Sequence, residues 1–169
     1  MSAVSSSESA LPYADIGEYM AFALGAEEYA VDILRVQEIR GWEAVTRIPN
    51  SPSYVKGVLN LRGTIIPVFD LRQRLGMPFR AYEKETAVII LTILDGEKRR
   101  SIGVAVDRVS SVLSSARKHI QTTPNFGAQL NADFIDGLVT ANGKLVTLLK
   151  VDRLGCFSSE GSGIESELA

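Results

Sequence analysis

A chain of 169 residues, 46% hydrophobic and 22% charged, has the size and composition of one globular domain, or of two small subdomains sharing a core. Its formal net charge of -2 offers no basic footprint for nucleic acid, and its single cysteine, Cys156, excludes an intramolecular disulfide and suits a reducing cytosol. No apolar run approaches a transmembrane helix, the densest being about residues 87–94, and residues 1–11 lack the basic start and apolar stretch of a secretory signal, so a cytoplasmic protein without membrane insertion is expected.

The chain opens on residues 1–16, rich in Ser and Ala and without periodicity, which read as a disordered tail. Met20, Phe22 and Leu24 then alternate with Tyr19, Ala21 and Ala23, Gly25-Ala26-Glu27-Glu28 makes a turn, and Tyr29, Val31 and Ile33 resume the alternation, predicting paired strands. Asp32 is placed to cap a short helix with Ile33, Val36 and Ile39 on one face, although Ile and Val serve strands as well. Pro49 and Pro52, among Asn50, Ser51 and Ser53, mark a loop. Residues 56–71 read as two short strands turning near Gly63, with Leu59 and Leu61 on one face and Val58, Asn60 and Arg62 on the other. Pro67 in the second of these strands argues for an edge or a bulge. Asp70, with Gln73 three residues on and Gly76 as terminator, predicts one or two helical turns.

Residues 88–94, apolar apart from Thr92, predict a strand buried on both faces, and 101–106 a further strand. The region from Ser110 to about Leu130 is polar and carries weaker signals. Residues 137–140 and 144–151 then form a hairpin around Asn142-Gly143, the strongest short-range turn signal, before a polar tail at 158–169. The two halves are related: Gly57 to Gly137 and Gly63 to Gly143 share one offset of 80 residues, which also matches Leu59 with Val139 and Ile65 with Leu145. Upstream, Ala30-Val31-Asp32 echoes Ala105-Val106-Asp107. Two copies of a small β unit with little helix predict two small barrels packed together, with residues 88–94 in the shared core. Where the second copy has Thr140 and Asn142, the first has Asn60 and Arg62. An Arg-Gly turn in place of Asn-Gly points to a role outside the fold, and Arg is enriched on surfaces that bind other proteins; the alternative is a solvated strand face.

Glu18-Tyr19 with Phe22, residues 29–39 ending in Val36-Gln37-Glu38-Ile39, Arg47-Ile48-Pro49, Lys56-Gly57-Val58-Leu59-Asn60-Leu61-Arg62-Gly63, Pro67 and Asp70-Leu71 together resemble the CheW family of bacterial chemotaxis coupling proteins. The resemblance covers about residues 18–154 and sets a CheW-like domain at 17–157 between disordered tails at 1–16 and 158–169. It implies an all-β fold with minor short helices, built as two SH3-like five-stranded β-barrels around a shared core, in which a strand can belong to the barrel its sequence neighbours do not. It also implies a non-enzymatic adaptor joining chemoreceptor cytoplasmic tips to the regulatory domain of a CheA-type histidine kinase, recruited from the cytoplasm to membrane-associated arrays. By position, Val36, Glu38, Gly57, Asn60, Arg62 and Gly63 match the segments the family uses around its receptor-facing groove, with Glu38 and Arg62 expected to face each other. Val36 stands equally for core or contact, and Gly57 and Gly63 also suit a purely backbone role. No motif marks the kinase contacts.

An enzyme is not expected. His119, the only histidine, and Cys156 make neither a nucleophile–base pair nor a metal site, Gly161-Ser162-Gly163 sits in a tail rather than between strand and helix, and Asp70 and Asp152 read as helix caps, so no cofactor or metal is assigned. A nucleic-acid-binding small barrel is the alternative. It wants a basic groove with exposed aromatics, whereas the only basic run, Lys98-Arg99-Arg100, reads as a single loop cluster.

Overall fold

The computed structural model describes residues 15–121 and 132–155. The predicted C-terminal tail, the N-terminal tail up to residue 14, Cys156 and residues 122–131 lie outside the described residues. Ten strands run in order as β1 (Ile16–Leu24), β2 (Glu27–Asp32), β3 (Val36–Gly41), β4 (Val55–Leu61), β5 (Thr64–Asp70), β6 (Ala87–Asp95), β7 (Lys98–Val106), β8 (Arg108–Ala116), β9 (Ile135–Ala141) and β10 (Lys144–Leu149), with short helices α1 (Leu71–Arg74) and α2 (Val151–Leu154). They form two five-stranded sheets, ordered β8-β1-β2-β10-β9 and β3-β6-β7-β5-β4. The second sheet is therefore an insertion between β2 and β8 of the first, and the barrel boundary does not follow the repeat.

Each sheet closes the same way. The chain leaving β3 bonds back to β4 at Thr46–Val58, and the chain leaving β8 bonds back to β9 at Gln121–Leu138. Val58 and Leu138 stand at the repeat offset of 80, while Thr46 and Gln121 share the offset of 75 seen in the Ala30–Ala105 echo. The closing strands explain the matched glycines: a Cβ on Gly57 would fall on the Thr46 carbonyl oxygen, and one on Gly137 on Ile120 and the Gln121 carbonyl. Both barrels also contain one parallel pairing, β10 with β2 and β5 with β7.

Three apolar clusters fill this frame. Tyr19, Ala21, Ala30, Val139, Val146 and Leu148 line the first barrel; Leu59, Leu61, Ile66, Val68, Val88 and Ile90 line the inserted one. The largest cluster lies between them, with Phe22, Leu24, Tyr29 and Val31 meeting Phe69, Ile89, Leu91 and Ile93. Period-2 alternation divides β6 between these environments, Val88 and Ile90 to the barrel interior and Ile89, Leu91 and Ile93 to the shared core, so a continuous apolar run is what the position requires.

Several local expectations are corrected. The predicted 33–39 helix is only a three-residue turn, Ile33–Arg35, capped by Asp32 through Leu34 N–H; β3 follows because pairing with β6 outweighs three marginal helical positions. The weak region takes in most of a nine-residue strand, β8, which starts two residues before it, has no buried residue and so carries little apolar pattern. Lys98-Arg99-Arg100 is not a loop but the start of β7, and Arg100 bonds Asp95 and the Gly155 carbonyl. Pro67 lies within β5, a strand between β4 and β7, but pairs only with Val58 of β4, since the pairing with β7 begins at Val68; the bulge is in β4 between Val55 and Gly57, opposite Val68 and Phe69. Asp70 caps α1 as expected, accepting from Gln73 N–H at 3.0 Å, but Asp152 does not cap α2: it sits inside that helix and its carboxylate reaches across to the other barrel.

Two ion pairs tie the barrels together at the crossovers. Asp107, between β7 and β8, accepts from Arg72 of α1 at 2.8 and 3.0 Å and from Gly25 N–H in the β1–β2 turn at 2.7 Å. Asp152 of α2 accepts from Arg35 at 2.6 and 3.0 Å and from Leu94 N–H of β6 at 2.7 Å. Burial by itself raises the Asp107 carboxyl, but the Arg72 and Gly25 hydrogen bonds and the charges of Arg72 and Arg80 outweigh it and hold it below the ordinary carboxylate range. The Arg35 hydrogen bond, chiefly, does the same for Asp152 against a smaller desolvation cost. Each carboxyl thus binds protons more weakly folded than unfolded, so its contribution is full at neutral pH and is lost as pH falls below about 4. Urea titrations from pH 7 to pH 3 should show falling stability, with the acid-side slope reduced in Asp107→Asn and Asp152→Asn; unchanged slopes would mean these carboxyls are not perturbed.

Candidate functional site

Beyond the Thr46–Val58 bridge, β3 and the β4–β5 hairpin are spanned by side chains. The hairpin turns on Arg62 and Gly63 with φ of 52° and 88°, both positive as a type I′ turn requires, and Asn142-Gly143 in the other barrel does the same at 53° and 76°. Asn is at ease in the left-handed region because its short side chain bonds locally; Arg has no such compensation. Asn60 supplies part of what is missing, its Oδ1 accepting from Gly63 N–H at 2.8 Å. Arg62 is thus held in an unfavourable backbone conformation with its side chain 71% exposed.

That side chain reaches Glu38 on β3, Nη2 to Oε1 at 2.6 Å. Arg40, two residues on and therefore on the same face of β3, binds the other Glu38 oxygen at 3.2 Å and Glu43 at 2.8 Å. The result is an alternating chain of charges, Arg62–Glu38–Arg40–Glu43, that fixes the guanidinium without building net charge. Arg62 foremost, then Arg40, holds the Glu38 carboxyl below its ordinary range against a desolvation cost.

The structure brings Glu38 and Arg62 into contact and places Asn60 and Gly63 in the same turn. Gly57 stands lower on β4 and has a structural reason of its own in barrel closure. Val36, at the start of β3, is half-buried and packs against the shared core; the register slip between Val36 and Glu38 returns Ile39, 42% exposed, to the same face of β3, with Val36 opposite Leu91 and Ile39 opposite Ile89. Sequence reasoning missed Arg40 and Glu43, although their three-residue spacing beside Glu38 was visible. It also missed a cavity of about 440 Å³ on the other side of the bridge, lined by Trp42, Val45, Arg47, Ile48, Lys56 and Phe79 among others. Nothing short of the loop's three-dimensional path would have assembled that set. His119 lies on an exposed short turn, Arg117–His119, and among the described residues no group of three or more His, Cys, Asp or Glu is placed to hold a metal ion. No helix among the described residues is long and apolar enough to cross a membrane.

Comparison with known proteins places this geometry. The family model for the CheW-like domain matches residues 18–155. The chain is 40% identical over 152 residues to the chemotaxis protein CheW of Klebsiella aerogenes, covering 90% of this chain and 88% of that one. It is 34% identical over 135 residues to the Bacillus subtilis protein of the same name, covering 79% and 83%. Among solved structures, the scaffolding protein TtCheW from Thermoanaerobacter tengcongensis superposes with a TM-score of 0.76 at 30% identity, covering 84% of this chain and 89% of that one. The sequence match runs through both barrels: the chain belongs to the CheW family.

Proposed function

We propose that this protein, a chemotaxis adaptor of the CheW family, couples chemoreceptor cytoplasmic tips to the regulatory domain of a CheA-type histidine kinase in membrane-associated arrays, and that it has no catalytic activity of its own. The observation that carries the receptor assignment is Arg62: a guanidinium kept in a left-handed turn where the sister hairpin keeps Asn, exposed, and pinned by Glu38. The fold gains little from a solvent-screened pair with Glu38 at that position, whereas a docking surface gains a donor fork whose rotamer entropy is already spent. A receptor tip is a helical hairpin; Val36 and Ile39 offer apolar contact to one face of it, and Arg62 an anchor through charge-assisted hydrogen bonds.

Reconstitution with receptor-bearing vesicles and kinase, read by phosphorylation, tests the whole proposal: the adaptor should raise kinase output only when receptor is present. Arg62→Asn is the sharpest variant because Asn suits the turn. It should leave the melting temperature unchanged or slightly higher and weaken receptor binding roughly ten- to a hundredfold, the range of a hot-spot truncation. Glu38→Gln should be milder, and the double variant should lose less than the sum of the two. Arg62→Asn that couples like the parent would sink the receptor assignment.

A further inference from the structure

The two ion pairs at the crossovers are counterparts with inverted charge. Arg72 and Asp152 stand at the repeat offset of 80, one in each short helix that follows a hairpin. Arg72 reaches an acid on the β7–β8 crossover; Asp152 reaches a base on the β2–β3 crossover. In each pair the carboxylate also takes a backbone N–H from the other barrel, Gly25 for Asp107 and Leu94 for Asp152. A repeat that preserves the placement of a latch while exchanging its charges indicates that the link itself, rather than either residue, is what the joint uses.

The two latches are unequal. The Arg72 and Asp107 side chains are 15% and 20% exposed, and Arg80 adds a further contact to Asp107 at 3.4 Å. Arg35 and Asp152 are 27% and 37% exposed, so water and salt screen them more. The weaker latch is also the one continuous with the candidate site: Arg35 directly precedes Val36, the first residue of β3, and also donates to the Thr92 carbonyl of β6, the strand β3 pairs with.

We propose that the joint between the barrels opens preferentially at Arg35–Asp152, and that this opening loosens β3, with Val36 and Glu38, ahead of either barrel's interior. The latch then governs how firmly the Glu38–Arg62 seam is held. The inference concerns the protein alone and stands whether or not the partner assignment holds.

Amide hydrogen exchange on the full chain tests it, because local opening and global unfolding leave different footprints. Asp152→Asn should speed exchange in Val36–Gly41 by about tenfold or more, while the β4–β5 and β1–β2 ladders stay within about threefold of the parent. Asp107→Asn should act on the β1–β2 turn and leave β3 near its parental rate. Asp152→Glu, which keeps the charge, should return β3 most of the way. Uniform acceleration of all ladders in Asp152→Asn would reduce the latch to ordinary stability, and an unchanged β3, or a larger β3 effect from Asp107→Asn, would overturn the proposal; so would failure of Asp152→Glu to restore β3. If Asp152→Asn proves too unstable to study, Arg35→Gln breaks the same link from the other side and must give the same β3-selective pattern.

Discussion

Gly57→Ala should cost the protein about 2–5 kcal/mol, the sum of a strained backbone and a collision that only main-chain movement can relieve. At φ of 150° an L-residue is already disfavoured, and its Cβ would fall on the carbonyl of Thr46, which is fixed by accepting from Val58 N–H at 2.8 Å. Moving Thr46 away means giving up the Thr46–Val58 bridge, which joins the segment after β3 to β4 and closes the barrel. Gly137→Ala should cost less, because Gly137 is not at positive φ and its Cβ would meet the Ile120 side chain first, with the Gln121 carbonyl further off at 2.9 Å. Gly63→Ala should cost only about 1–2 kcal/mol, since its Cβ would meet nothing and only the left-handed conformation is penalised. Urea unfolding of the three variants gives the ranking; a near-neutral Gly57→Ala would show the closure to be pliable. The ranking also bears on function, because a Gly57 variant that fails to couple reports a deformed barrel before it reports a lost contact.

Leu91→Ala should remove about 2–5 kcal/mol, the range for a fully buried leucine that leaves a cavity its neighbours cannot collapse into. Its side chain lies in the cluster between the barrels, with Phe22 and Tyr29 from one and Phe69 and Ile93 from the other, so the loss should fall on both barrels together. Unfolding followed by fluorescence of Trp42, the single tryptophan, reports the inserted barrel, while far-UV dichroism reports all ten strands. The two signals should remain superimposed in parent and variant, as one cooperative unit demands. Separation of the transitions would mean that each barrel stands on its own interior cluster and that the shared core contributes little to cooperativity.

Much of this architecture was legible in the residues. Alternation placed Leu59 and Leu61 inward, the apolar run placed β6 in the middle, and the offset between Gly57 and Gly137 announced two copies of one unit. What alternation cannot show is which copy a strand pairs with, and here β6 and β7 join the strands before them while β8 to β10 return to β1 and β2. β8 was missed because its Ser-rich residues are never buried, so the pattern that betrays a strand was absent. The Glu38–Arg62 contact was expected from position; the Arg40–Glu43 extension and both crossover ion pairs were not, because partners up to 117 residues apart leave no local trace. Asp152 was read as a cap for the same reason: a carboxylate beside a short helix has an obvious local use, and only the fold reveals the distant one.

The inserted order of the strands bears on how the chain comes off the ribosome. Of the described strands, β1 and β2 emerge before the inserted barrel yet have no complete sheet to join, since β8, β9 and β10 are made after it. β3 to β7 are contiguous and can close their own barrel as soon as Val106 has cleared the exit tunnel. The nascent protein should therefore acquire its middle before its beginning, with Phe22, Leu24, Tyr29 and Val31 lying against the finished barrel as a sticky, half-built neighbour until the remaining strands arrive. A ribosome stalled near residue 110 plus the tunnel length would carry a protease-resistant core that starts at β3, and that interval is when a chaperone has the most apolar surface to protect.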